Sequence, residues 1–156
     1  MSWVGERLGN YELTDVLGEG GMATVYAANH IALGTAHAVK ILAPTFARHP
    51  DVRARFLREG RVQAQFRHPG IAQVTDTVQD PVVALVMERL IGRSVRDVLD
   101  AGPMSLTAAV LVIQRVAVAL EHAHERQVVH RDVKPELPFL NLAAGPLQPR
   151  TRHRGL

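Results

Sequence analysis

The chain has 156 residues, 47% of them hydrophobic, enough for one domain of ordinary size with a buried core. It has no cysteine, which excludes a disulfide framework and a thiolate metal site. The net charge of +3 suggests a basic protein, yet residues 1–136 hold 15 Lys and Arg against all 15 acidic residues, and the surplus is Arg150, Arg152 and Arg154 near the end; a nucleic-acid-binding domain would carry its basic patch on folded structure instead.

Apolar runs such as Ala108 to Ile113 are read as too short to span a bilayer. The start, "MSWVGERLGNYEL", carries Glu6 and no apolar stretch, so it does not read as a signal peptide. The expectation is a soluble cytoplasmic protein with no membrane segment and no nucleic-acid partner. Of the 18 basic residues only Lys40 and Lys134 are lysine. A strong bias to Arg reflects coding composition. Lysine then survives where a planar guanidinium cannot replace a compact ammonium, above all in a tight phosphate site.

In chain order, "YELTDVLGEG" (11–20), "ATVYAA" (23–28) and "TAHAVKIL" (35–42) have the β-branched and aromatic content of strands separated by turn residues. They predict a three-strand antiparallel meander. The first turn is Gly-rich: Gly18, Gly20 and Gly21 with Glu19 between, then Met22 and Ala23. Glycines let a backbone approach phosphate oxygens without a Cβ in the way. A Walker A loop needs Gly-Lys-Ser/Thr at its end, and none follows. A Rossmann loop opens a helix, whereas "TVYAA" is strand-like. Two readings stay open here: a glycine hairpin closing over a nucleotide, and a simple hairpin turn.

"Ala38-Val39-Lys40" lies on the third strand. An ammonium in an apolar strand is costly without a partner. Glu59 on the following helix is the obvious acid; the alternative is that Lys40 sits at a strand end and snorkels to water. The helix runs from Pro50 to Phe66, with Asp51 near its start, Val52, Phe56 and Leu57 on its apolar side, and Pro69 beyond its end. Gly60 within it costs about 1 kcal/mol against Ala. The arginines at 48, 53, 55, 58, 61 and 67 read as a solvated face.

Residues 71–78 and 81–88 predict two more strands, and 94–102 a short helix that stops at Gly102-Pro103. Residues 105–126 predict a long helix, apolar on nearly every side, of the kind normally buried in a larger body. His122 and His124 on it are two apart and do not share a face, so no metal site is read there. "His130-Arg131-Asp132-Val133-Lys134-Pro135" joins an acid, two cations and a proline-rigid turn. Asp132 can orient a hydroxyl and accept its proton, and Lys134 can neutralise charge on a transferring phosphoryl group. Residues 137–156 have no helical or strand period and predict an irregular segment.

Taken together, the glycine loop, "AVK", "FLREG" with "HPGIAQV", "VMERLIG" and "VVHRDVKPE" stand in the order and spacing of a protein kinase. Over residues 10–136 the chain resembles the N-terminal lobe and the start of the C-terminal lobe of a eukaryotic-like bacterial serine/threonine protein kinase. The resemblance implies an α+β, protein-kinase-like fold: a five-stranded antiparallel N-lobe with one helix and a hinge (10–90), then the first helices of an incomplete helical lobe (91–136). It implies ATP as ligand, Mg2+ as the family's metal, and a protein substrate that the sequence does not identify. Leu17 to Gly21, including Glu19, and Val25 would cover the nucleotide, and Ala38 would touch adenine. Lys40 would bind the α- and β-phosphates while paired with Glu59. Met87 would be the gatekeeper, with Glu88 to Leu90 as the hinge. Asp132 would be the catalytic base and Lys134 would contact the γ-phosphate. Ala23 stands where many members have a third glycine.

The pattern then departs. After "HRDVKPE" the family carries an asparagine that holds a second magnesium, but position 137 is Leu, and Asn141 is four residues late. No Asp-Phe-Gly follows, so no metal-holding residue is read. The expectation is a match that stops between Glu136 and Leu137, as a frameshifted or truncated kinase gene would give, and an inactive product. The alternative is a non-catalytic nucleotide-binding or regulatory module.

Overall fold

The structure is a computed structural model that describes residues 2–130 and 133–135. Residues 137–156, expected to be irregular, lie outside the described residues, as do Arg131, Asp132 and Glu136. The chain divides into two compact units, Met1–Leu90 and Ile91–Leu156.

The first unit is built on one sheet. Its strands are β1 (Arg7–Leu8), β2 (Tyr11–Glu19), β3 (Ala23–His30), β4 (Ala36–Leu42), β5 (Val74–Val78) and β6 (Ala84–Glu88). Their order is β1-β2-β3-β4-β6-β5, and every pairing is antiparallel. The predicted meander is β2-β3-β4. The sheet has six strands rather than five because Arg7–Leu8 pairs with Glu12 and Tyr11; two residues carry no period for a sequence to show.

Side chains alternate across the sheet, and here both faces are apolar. On one face Leu13, Tyr26, Val39, Ile41 and Val86 form a buried cluster, with Trp3 of the N-terminal segment packed against it. Leu13, Val39 and Val86 are fully buried, each worth roughly 1.5–3 kcal/mol of hydrophobic stabilisation. At the margin of this face the buried Tyr11 hydroxyl donates to Asp76 Oδ2 at 3.2 Å. Burial, then the charge and hydrogen bond of Asp76, raise the phenol's pKa above its ordinary 10.0.

The opposite face is covered by α2 (Pro50–Gln63), which follows a single helical turn, α1 (Pro44–Ala47). Pro50 opens α2, where its missing N–H is no loss. Phe56, Leu57 and Gly60 are the buried stripe of this helix. They pack with Leu42, Val74, Val83 and Leu85.

The second unit contains α3 (Val95–Asp100) and α4 (Leu106–His124). Ser94 and Asp97 cap α3 reciprocally: the Ser94 hydroxyl accepts from Asp97 N–H, and the Asp97 carboxylate accepts from Ser94 N–H. Ser105 caps α4 by accepting from Ala108 N–H at 3.2 Å. At its other end Gln127 adopts a left-handed φ of 60°, and Val128 N–H returns to the Ala123 carbonyl at 3.0 Å. That is the glycine-type helix stop carried out by a residue with a side chain. Only Ala119, His122 and Ala123 of α4 are buried, while Leu106 and Ile113 are 81% and 66% exposed. At 19 residues α4 is long and apolar enough, by length and composition, to cross a membrane. The shorter apolar runs visible in the sequence understated this, because Gln114 and Arg115 interrupt the run without ending the helix.

Candidate nucleotide site

Strand register gathers five of the predicted nucleotide residues of the first unit onto one face. Gly18 pairs with Val25, Val25 with Lys40, and Lys40 with Leu85. In the neighbouring row Ala38 pairs with Ala27 and with Met87. Residues directly opposite in an antiparallel ladder project to the same side. Gly18, Val25, Ala38, Lys40 and Met87 therefore share the face that α2 covers through Leu42 and Leu85.

The glycine loop joins β2 to β3, and Gly20 N–H closes it by donating to the Ala23 carbonyl at 2.9 Å. A Cβ on Gly20 would stand 3.1 Å from that oxygen. A Cβ on Gly18 or Gly21 would meet nothing within 4 Å, and neither has a left-handed φ. The turn itself thus gives a reason for glycine at position 20 and none at 18 or 21. Leu17 and Glu19 beside them are exposed.

Lys40 is half-buried, and its Nζ lies 5.8 Å from the centroid of the Phe56 ring. It does not form the expected ion pair with Glu59, which is exposed. The reason is the seating of α2. At about 100° per residue, the buried stripe of Phe56, Leu57 and Gly60 turns Glu59 away on the side of Phe56 remote from Leu57. Gly60 lets the helix approach closely, because a Cβ there would lie 2.4 Å from Leu85 Cδ2. Sequence reasoning missed Phe56 as the neighbour of Lys40. Phe56 and Glu59 lie one turn apart, and which of them reaches the ammonium is set by the rotation of α2 about its axis.

At the predicted hinge, Met87 is half-buried and paired with Val74 as well as Ala38. Glu88, the last residue of β6, donates its N–H to the Gln73 carbonyl at 2.9 Å. Leu90 lies two residues beyond the strand end.

In the second unit, Asp132 lies outside the described residues. Lys134 is exposed, and the next residue, Pro135, accepts the Arg96 N–H at 2.9 Å, tying this stretch to the first turn of α3. The His122 carbonyl accepts from Arg126 Nη1 at 3.0 Å, and its ring Nδ1 lies 3.3 Å from the same nitrogen. An open concavity on α4 is lined by Ala117, Leu120, Glu121 and His124, none of them a residue of the nucleotide motifs. Among the described residues no three His, Cys, Asp or Glu side chains gather as a metal site.

Comparison with known proteins places the chain in a family. The protein kinase domain family matches residues 11–142, running past Glu136, where the sequence pattern was expected to stop. The chain is 40% identical over 142 residues to the serine/threonine-protein kinase PknJ of Mycobacterium tuberculosis, covering 90% of this chain and 24% of that one. It is 36% identical over 135 residues to the serine/threonine-protein kinase PrkC of Bacillus subtilis, covering 85% of this chain and 21% of that one. The chain thus spans about a quarter or less of the length of these relatives. Among solved structures, the Mycobacterium tuberculosis PknI kinase domain superposes with a TM-score of 0.72 at 30% identity, over 87% of this chain and 56% of that chain.

Proposed function

The chain belongs to the protein kinase domain family, and from that premise we propose that it is the nucleotide-binding part of a serine/threonine protein kinase that moves the γ-phosphate of ATP to protein serine or threonine. The observation that carries this reading is the row Gly18–Val25–Lys40, which puts the chain's one strand lysine on the same face as its glycine loop.

The roles follow from chemistry at those positions. The backbone at Gly18 and Gly21, open to approach, donates N–H groups to phosphate oxygens. Val25 and Ala38 offer apolar surface to adenine, and the backbone from Glu88 to Leu90 reads its edge. Met87 bounds the slot behind. Lys40 meets the α- and β-phosphates. The substrate hydroxyl attacks the γ-phosphorus, the bond to the ADP oxygen breaks, and the hydroxyl proton passes to Asp132 while Lys134 offsets charge on the moving group.

Members of this family use Mg2+ with ATP. Position 137, where the family carries an asparagine, offers no side-chain oxygen, and no ligand cluster occurs among the described residues. What this chain's own residues supply is binding and orientation of the nucleotide through Lys40 and the glycine loop, and a proton acceptor and a cation through Asp132 and Lys134.

Titration calorimetry with ATP tests the reading. Lys40→Met is expected to weaken binding at least about tenfold, or about 1.4 kcal/mol. Asp132→Asn is expected to leave binding unchanged and to abolish any transfer of radiolabel from ATP. Unchanged ATP affinity in Lys40→Met would overturn the assignment.

A further inference from the structure

Lys40 has taken a partner other than an acid. Its ammonium lies 5.8 Å from the centre of the Phe56 ring, and Phe56 is 8% exposed. A cation within about 6 Å of a ring face is attracted by the ring's quadrupole, by roughly 0.5–1 kcal/mol at exposed sites and more when desolvated. Half-buried Lys40 has lost part of its water, and Glu59, exposed, does not replace it.

We propose that Phe56 is the resting partner of Lys40. Its ring parks the ammonium against α2, and nucleotide binding draws Lys40 off the ring. This rests on the reading that Lys40 meets the phosphates. Phe56 touches no substrate and acts only through Lys40, as a positioning residue.

Two observations and one energetic argument support the parking site. The ring is fixed, because Phe56 belongs to the buried cluster with Leu42, Leu57 and Leu85, and close-packed side chains do not swing freely. The spacing is fixed too: Leu85 is the cross-strand partner of Lys40 and fills the space that Gly60 leaves for lack of a Cβ. The helix that carries the ring is thereby seated against the row that carries the lysine. Finally, the parked state yields to a stronger partner. Charge-assisted hydrogen bonds to phosphate are roughly twice as strong as neutral ones, so ATP wins the lysine, at an affinity lowered by the ring's share. That share corresponds to about a 2–5-fold loss of affinity.

The two-lysine composition makes this directly measurable. In protein labelled with 13C- and 15N-lysine, only Lys40 and Lys134 contribute side-chain signals, and Lys134→Arg tells them apart. Protons over a ring face resonate upfield, so the Lys40 ε-protons are expected upfield of those of Lys134. ATP at saturation should abolish the displacement. Phe56→Leu should abolish it without ATP and tighten ATP binding about 2–5-fold. Phe56→Tyr keeps the ring and should retain both wild-type values. An absent displacement, one that survives saturating ATP, or unchanged ATP affinity in a folded Phe56→Leu protein would each overturn the proposal while leaving the nucleotide assignment intact. Unchanged ATP affinity in Lys40→Met would remove that assignment, and the proposal with it. Should Phe56→Leu fail to fold, the wild-type displacement and its response to ATP decide alone.

Discussion

Both units are rich in apolar side chains, but they cover them differently. In the first, Leu13, Val39 and Val86 are sealed; in the second, Leu106 and Ile113 of α4 face outward. A sheet with two apolar faces closes its own core once α2 lies on one side and the Trp3 segment on the other. A helix that is apolar around its circumference needs neighbours around its circumference. Burial is thus set by what the topology brings to a residue, and the same side chain can be structural in one unit and nearly silent in the other.

Paired substitutions put that contrast at risk most directly. Leu13→Ala should cost about 2–5 kcal/mol, whereas Ile113→Ala should change stability by no more than about 0.5 kcal/mol. Urea denaturation separates them: the chain's one tryptophan, Trp3, packs on the first cluster and reports that unit's melting, and the helical circular dichroism signal reports α4. Similar costs at the two sites would break the comparison.

The next effect tests how tightly the first unit is seated. Gly60→Ala gains about 1 kcal/mol of helix propensity but forces a methyl into Leu85, and overpacking of this kind costs about 1–3 kcal/mol. Net destabilisation is expected, coupled to Leu85→Ala in a double-mutant cycle.

Smaller effects belong to the second unit, where termini rather than core carry the local energetics. Ser94→Ala should lower α3 stability by about 1 kcal/mol. Hydrogen bonds from the Ser94 hydroxyl, then its backbone N–H, hold the Asp97 carboxyl below its ordinary 3.8. Because the folded value is the lower one, the cap contributes fully above about pH 4 and is lost as pH falls through the lowered value. Hydrogen exchange of the α3 amides followed into acid should show this loss in the wild type and not in Ser94→Ala. Smallest of all, Gln127→Gly should relieve the left-handed backbone and raise stability by about 0.5–1 kcal/mol, read as a higher melting midpoint of the helical circular dichroism signal.

Much of this was legible in the sequence, and for physical reasons. The runs around Val25, Val39 and Val86 have strand chemistry, α2 and α4 have helical content, and α2 has a recognisable stop in Pro69. The two-residue β1 and the one-turn α1 were not legible, since neither is long enough to show a period. The kinase motifs named Gly18 of the glycine loop, Lys40 and Met87, and register then placed them on one face. The partner of Lys40 was not legible. Whether Glu59 or Phe56 reaches the ammonium depends on how far α2 is rotated about its axis, and that rotation is decided by Gly60 against Leu85, a contact between residues 25 apart in sequence.

The alternation along β4 also bears on how the protein tolerates change. Positions 38 and 40 carry the proposed nucleotide contacts, while 39 and 41 belong to the opposite cluster. Variants across this strand, scored once for abundance and once for ATP retention, should give two interleaved combs, each with teeth where the other has gaps. A strand built this way lets selection adjust ligand recognition and folding separately within seven consecutive residues. It also makes a one-residue slip in register ruinous to both.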